Sequence, residues 1–350
     1  MGFITFLIVL SILVFVHELG HFTVARLLGV KVHVFSIGFG KRLFTKRYKG
    51  TDWSISLIPL GGYVKMKGQE DLNPTLSNQD SDSYNTKTPM QRIFILLAGP
   101  FANFVLAFVV FIVIGLLGNN HISPTIGKVV ENSPAFVAGL QKNDEIVRIN
   151  TTDIKTWDDL SKIIKESQGS LKFYVKRDNV IQALVVRPQV NDSVNMFKEK
   201  IKKKMIGIAP APKLIKIYYS PLESIAFAYD KTAEASKMIF LGIQKLIQGI
   251  VPSSEIGGVI SIGTVISDAS QSSLIALLTI TALISVNLGV LNLLPIPALD
   301  GGHIMFNLYE IIARRKPSEQ AILYLTVSGW IILLGLMSLG LYNDINRLLG

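Results

Sequence analysis

Residues 2 to 21 read G-F-I-T-F-L-I-V-L-S-I-L-V-F-V-H-E-L-G-H, in which residues 2 to 16 are an uncharged and mostly apolar run and the end carries His17, Glu18 and His21. With its following turn the run makes a helix long enough to cross a hydrocarbon layer of roughly 30 Å. On a helix, positions i and i+4 share one face, so both imidazoles reach a single ion. Glu18 follows the first histidine and is placed to accept a proton from an attacking water. Ionisable groups at the end of an apolar span are costly and by default functional. The competing reading, an interfacial capping cluster, leaves that cost unexplained. Zinc suits neutral imidazole, and a catalytic zinc takes three protein ligands and keeps a fourth position open. One Zn2+ per chain is expected, held by His17, His21 and a third group.

The third group is sought at membrane depth. The segment N-L-G-V-L-N-L-L-P-I-P-A-L-D-G-G-H, residues 287 to 303, carries Asp300, the only acidic residue between Gln271 and Tyr309. Pro295 and Pro297 lack the backbone donor and clash with the preceding turn, so no regular helix runs through them. Gly301 and Gly302 permit close backbone approach beside the aspartate. Broken backbone at membrane depth is tolerated where it lines a cavity, which places this segment opposite the zinc helix. The alternative is a proline-kinked helix whose Asp300 and His303 mark the membrane boundary.

The whole chain has the balance of a membrane protein: mean hydropathy is +0.42 and only 17% of its 350 residues are charged. Further apolar runs lie at Ile93 to Leu117, Leu274 to Leu299 and Ala321 to Leu341, making four spans. The first lacks a basic residue ahead of its apolar stretch, unlike a signal peptide, and cleavage there would discard the chemistry. The formal charge of +10 raises the question of nucleic acid, but the basic residues cluster beside the spans, so no nucleic-acid partner is expected. Lys31, Lys41, Arg42, Lys46, Arg47, Lys49, Lys65 and Lys67 precede the second span, and Arg314, Arg315 and Lys316 precede the fourth. Short lysine- and arginine-rich segments favour the cytoplasmic side, which puts both termini and the long middle segment outside. Cysteine is absent, so no thiolate serves as ligand or nucleophile.

Four regions follow. Residues 1–118 form an N-terminal membrane core. Within it residues 30–67 alternate apolar and polar with several glycines, predicting short strands and turns, a β-hairpin beside the first helix. Residues 69–88, rich in Asp, Asn and Ser, predict a mobile loop before the second span (93–117). In that span Gly99 and Pro100 fall in the first helical turn, where proline is ordinary. Asn103 is expected to pack on another helix through a side-chain hydrogen bond. Residues 119–205 alternate strand and helix patterns without a membrane-length run. Their N-S-P-A-F-V-A-G-L and D-E-I-V-R-I-N resemble a PDZ domain, with Asn143 where that family usually has glycine. Residues 206–270 include an amphipathic stretch, Ser220 to Ile250, expected along the outer membrane surface. Residues 271–350 form the C-terminal membrane core.

Taken with L-A-G-P-F-A-N (Leu97 to Asn103), the PDZ-like segment and Asn292 through Gly302, the chain resembles the site-2 protease family of intramembrane zinc metalloproteases. The match is to its bacterial type with a PDZ domain, exemplified by the regulator of sigma-E protease. The N-x-x-P-x-P-x-L-D-G pattern of that family is met in full. The resemblance implies a polytopic α-helical membrane protein with about four transmembrane helices, a membrane-associated β-hairpin and an inserted extracytoplasmic PDZ-like α+β domain. It implies that Asp300 is the third zinc ligand and that Asn292, with the proline-bent segment at Pro295 and Pro297, holds substrate. Gly62 and Tyr63, in G-Y-V-K-M-K-G, belong to an edge that either adds an extended substrate strand or forms a solvated hairpin with no client. The expected location is the bacterial cytoplasmic (inner) membrane, in contact with the lipid bilayer. The expected substrates are transmembrane segments of single-span proteins, such as an anti-sigma factor or signal-peptide remnants. Two rival classes remain: a catalytically silent scaffold whose PDZ-like domain captures chain termini, and a transporter with a broken midplane helix.

Overall fold

A computed structural model describes residues 2–69 and 80–349 and divides them into two compact units, residues 1–114 with 221–350, and residues 115–220. Among the described residues four helices are long and apolar enough to cross a membrane: Gly2–Leu27, Pro89–Leu117, Leu274–Asn292 and Glu319–Leu349. Half of the 69–88 segment, residues 70–79, lies outside the described residues; residues 84–86 form a single turn of 3-10 helix.

In the first unit, α1 (Gly2–Leu27) is apolar around its whole circumference, as a helix surrounded by lipid and protein must be. The hairpin that follows, β1 (Val32–Tyr48) and β2 (Thr51–Met66), is built from long strands rather than the short ones anticipated. Its two-residue turn, Lys49 and Gly50, has positive φ at both positions, the geometry that matches the twist of a tight hairpin. β2 doubles back on itself. Residues 34–37 of β1 pair with residues 52–55 on one side and with residues 62–65 on the other, so β1 is central and Gly62–Met66 forms an edge. Stacked Phe35 and Trp53, 4.6 Å apart, anchor the sheet, and both meet Phe22 of α1.

α2 (Pro89–Leu117) starts four residues before the apolar run because T-P-M-Q is a capping box. The Thr88 amide donates to Gln91 Oε1 (3.0 Å) and the Gln91 amide donates to Thr88 Oγ1 (3.3 Å). Pro89 then occupies the first helical position, where its missing donor costs nothing. Pro100 is therefore an interior residue of α2, not a first-turn one as expected.

The second unit runs through β3 (Asn119–Ile122), β4 (Ile126–Val129), α3 (Pro134–Val137), β5 (Glu145–Ile149), β6 (Thr152–Asp153), α4 (Trp157–Glu166), β7 (Leu171–Arg177), β8 (Val180–Val186), β9 (Gln189–Val194), β10 (Lys200–Met205), β11 (Ile208–Pro210) and β12 (Leu214–Ile217). A four-stranded sheet of order β6-β5-β7-β8 packs with α4 and the β4–β11 pair around Ile126, Ile146, Ile149, Leu160 and Phe173. Asn143 has φ of 72°, so asparagine supplies the left-handed turn that glycine would otherwise supply. Next to it Asp144, 1% exposed, accepts two bonds of 2.7 Å from Arg177 and one of 2.8 Å from the Gln141 amide. Removing the carboxylate strands a half-buried guanidinium and an amide. Asp144→Ala is expected to destabilise this unit by about 2–3 kcal/mol, readable as faster amide exchange over residues 115–220 of the full chain.

The first unit resumes with α5 (Pro221–Ile247), α6 (Val259–Ser272), α7 (Leu274–Asn292), α8 (Asp300–Ala313) and α9 (Glu319–Leu349). The amphipathic stretch forms α5, but the small residues Ala228 and Ala235 are buried against α2 and α7, so the helix belongs to the bundle and does not merely lie on a surface. Asp344 of α9 accepts the amides of Gly258, Ile260 and Ser261, each at 3.0 Å, and so caps the start of α6. α7 stops at Asn292, and the chain through Pro295 and Pro297 is irregular until α8 begins at Asp300. Side chains on Gly301 and Gly302 would overlap the carbonyl oxygens of Leu294 and Ile296, so the bent segment folds directly over these glycines.

Candidate metal centre

The centre is assembled where α1 crosses α2. The crossing is close because it runs over glycines: a Cβ on Gly20 would overlap the Ala98 carbonyl, and a Cβ on Gly99 would overlap the His21 imidazole. Ile95, Gly99 and Asn103, spaced by four residues, form the stripe of α2 that faces the two histidines.

Three ligand atoms converge. His17 Nε2 and His21 Nε2 are 3.2 Å apart, and Asp300 Oδ2 is 3.3 Å from the first and 3.4 Å from the second. Ligands at about 2.0–2.1 Å from one ion in tetrahedral arrangement stand about 3.3 Å from one another, so the triangle has the size that zinc requires. The chemistry of the set agrees. Asp300 Oδ2 is buried without a hydrogen-bond donor, which is costly for a carboxylate oxygen unless a cation takes its place. His21 Nδ1 donates to the Ile95 carbonyl at 2.8 Å, which fixes the tautomer and leaves Nε2 with its lone pair toward the other two ligands. The three residues therefore fit a divalent ion.

Glu18 lies beside both histidines and Asp300, with the Val64 backbone amide facing its carboxylate. Gly62 packs against it, since a Cβ there would stand 3.3 Å from Glu18 Cγ and 2.7 Å from Val14 Cγ1. The edge strand Gly62–Met66 thus borders the zinc helix. Tyr63, one residue along, turns to stack on Phe39 at 6.2 Å and receives a 3.4 Å hydrogen bond from Arg42. Asn292 closes α7, while Pro295 and Pro297 lie in the bent segment that leads to Asp300. A partly buried pair, Arg92 of α2 with Glu310 of α8 at 2.8 Å, ties down the helix that carries Asp300.

Two residues of the L-A-G-P-F-A-N motif were not assigned to the centre from the sequence: Asn103, expected only to pack on another helix, whose side-chain amide is 3.2 Å from His17 Nδ1, and Gly99 under the His21 ring. The usable signal is their four-residue spacing within an otherwise apolar helix.

The profile of peptidase family M50 matches residues 5–336. The chain belongs to peptidase family M50. Among its relatives is a Campylobacter jejuni protein named "Putative zinc metalloprotease", 47% identical over 348 residues that cover 99% of this chain and 94% of the relative. A Helicobacter pylori protein with the same descriptive name is 41% identical over 99% of this chain and its own full length. A Clostridium acetobutylicum relative, again so named, is 33% identical over 96% of this chain and 94% of its own. As an M50 peptidase the chain is a zinc metalloprotease, in keeping with the site-2 protease resemblance, and zinc is its cofactor. For this M50 protein, Asp300→Ala is expected to lower bound zinc from about one equivalent per chain to a small fraction of that, as measured by elemental analysis of the purified protein.

Proposed function

We propose that this M50 peptidase cleaves peptide bonds within the membrane-spanning segments of single-span membrane proteins. The observation that carries the reading is the convergence of His17, His21 and Asp300 at the end of an apolar helix, with Glu18 beside them. When bound, zinc supplies polarisation of the scissile carbonyl and activation of water. His17, His21 and Asp300 hold it. Glu18 accepts the proton of the attacking water and returns it to the leaving nitrogen as the peptide bond breaks.

A substrate helix must unwind first, because its peptide bonds are shielded within their own turns. The edge Gly62–Met66 supports a receiving role: it is paired with β1 on one side, borders Glu18, and its main chain offers hydrogen bonds to an added strand with little demand on sequence. Gly62 and Tyr63 then lie along the substrate path, and Asn292 with Pro295 and Pro297 forms the opposite wall.

The second unit acts in this reading as an extracytoplasmic PDZ-like domain in the bacterial inner membrane system. A groove of about 560 Å³, between α4 and residues 205–209, supports either capture of a chain end or exclusion of bulky clients. Anti-sigma factors and signal-peptide remnants are the proposed client classes.

The test is proteolysis of single-span reporter proteins by purified enzyme in liposomes, with and without a zinc chelator. Chelator-sensitive cuts inside the span are expected. Recruitment of reporters without any product would favour the scaffold and overturn the protease reading.

A further inference from the structure

We propose that Asn103 is the positioning residue for His17, its side-chain oxygen accepting the His17 Nδ1 proton and so directing the lone pair of Nε2 into the metal centre.

The two histidines pose the same problem. A neutral imidazole carries one proton, and the nitrogen facing the ion must be bare, so the other nitrogen must be a donor with an acceptor in reach. For His21 that acceptor is plain: Nδ1 is 2.8 Å from the Ile95 carbonyl, which only accepts. For His17 the group at Nδ1 is the amide of Asn103, at 3.2 Å and two turns further along the same face of α2. Both rings are thus braced from one helix, with both Nε2 atoms turned to Asp300 Oδ2.

The NH2 end of the amide lies toward the ring, but the two ends have nearly the same size and shape, so the hydrogen-bond partners decide which of them faces His17. Asn103 is completely buried, and its Oδ1 has no donor. Nothing therefore holds the oxygen away from His17. With NH2 facing the ring, Nδ1 must be bare and Nε2 protonated, which blocks metal binding; with Oδ1 facing it, Nδ1 donates and Nε2 is free. The backbone supports the placement from behind, as Ser285 Oγ of α7 donates to the Asn103 carbonyl at 2.8 Å. An asparagine in an apolar helix has a cost, and the brace accounts for it.

The inference rests on the zinc reading of His17, His21 and Asp300, and one experiment separates the two. Zinc affinity of the purified full chain is measured by competition with a chromophoric chelator for wild type, Asn103→Leu and Asn103→Asp. Loss of a partner of this kind weakens metal binding by about 10- to 100-fold, and that is expected for Asn103→Leu. Asn103→Asp, which retains an acceptor and has no donor, is expected within about threefold of wild type. Wild-type affinity in Asn103→Leu would overturn the role, as would equal losses in both variants. If Asn103→Leu does not fold, nitrogen-15 NMR of zinc-loaded wild type decides: a protonated, slowly exchanging His17 Nδ1 supports the proposal and a bare Nδ1 overturns it. A wild-type chain that binds no zinc would instead remove the reading beneath it.

Discussion

Glu18→Gln is expected to keep its zinc and to lose about 10²- to 10⁴-fold in cleavage rate, the range assigned to a positioned general acid–base group. The two parts of that result are separable because Glu18 is not one of the three converging ligands. His17, His21 and Asp300 form the triangle of 3.2 to 3.4 Å without it, and its own carboxylate faces the Val64 amide. Glutamine keeps the shape and can still meet the Val64 amide through its oxygen, but it has no basic oxygen to take a proton. Elemental analysis and the liposome cleavage assay on the same preparation check both halves. Appreciable proteolysis would remove Glu18 from the mechanism, and loss of zinc would make it a ligand instead.

The second large effect concerns a residue with no functional group. Gly99→Ala is expected to weaken zinc binding by at least about 100-fold, comparable to losing a supporting residue outright. A Cβ at position 99 would overlap the His21 imidazole, so one of the two must move. The ring has little freedom. Its Nδ1 is tied to the Ile95 carbonyl and its Nε2 must stay within about 0.2 Å of the coordination distance to function as a ligand. The alternative is separation of α1 from α2, which the contact of Gly20 with the Ala98 carbonyl resists. Gly335→Ala in α9 is the control. It has open space around its Cβ position, and alanine for glycine inside a helix favours folding by roughly 0.5–1 kcal/mol. Zinc affinity unchanged in Gly99→Ala would show that the helix crossing is softer than its glycines imply.

The legible part of the centre and the hidden part differ in the range of the interactions that make them. His17 and His21 could be read because a helix maps a four-residue spacing onto one face, a local rule that holds before any packing. The stop of α7 before Pro295 was equally local. The lengths of β1 and β2 were not, since a strand persists only while a partner is opposite, and here β1 finds partners on both edges. The interior position of Pro100 was missed because an apolar count began at Ile93 and passed over the Thr88–Gln91 capping box. The burial of α5 depended on Ala228 and Ala235 meeting α2 and α7, which no property of the stretch itself announces.

By itself the sequence determined that the chain is membrane-bound, that its first span carries a two-histidine motif with a glutamate, and that the only nearby acidic residue in a proline-broken segment is Asp300. These follow from hydropathy, helical periodicity and the missing donor of proline, all properties of short windows. Only the tertiary structure decided that Asp300 Oδ2 reaches both imidazoles, that the Ile95 carbonyl and the Asn103 amide stand against them, and that Gly20 and Gly99 let the helices close. Those are distances between residues remote in the chain, and they exist only once packing has brought their helices together.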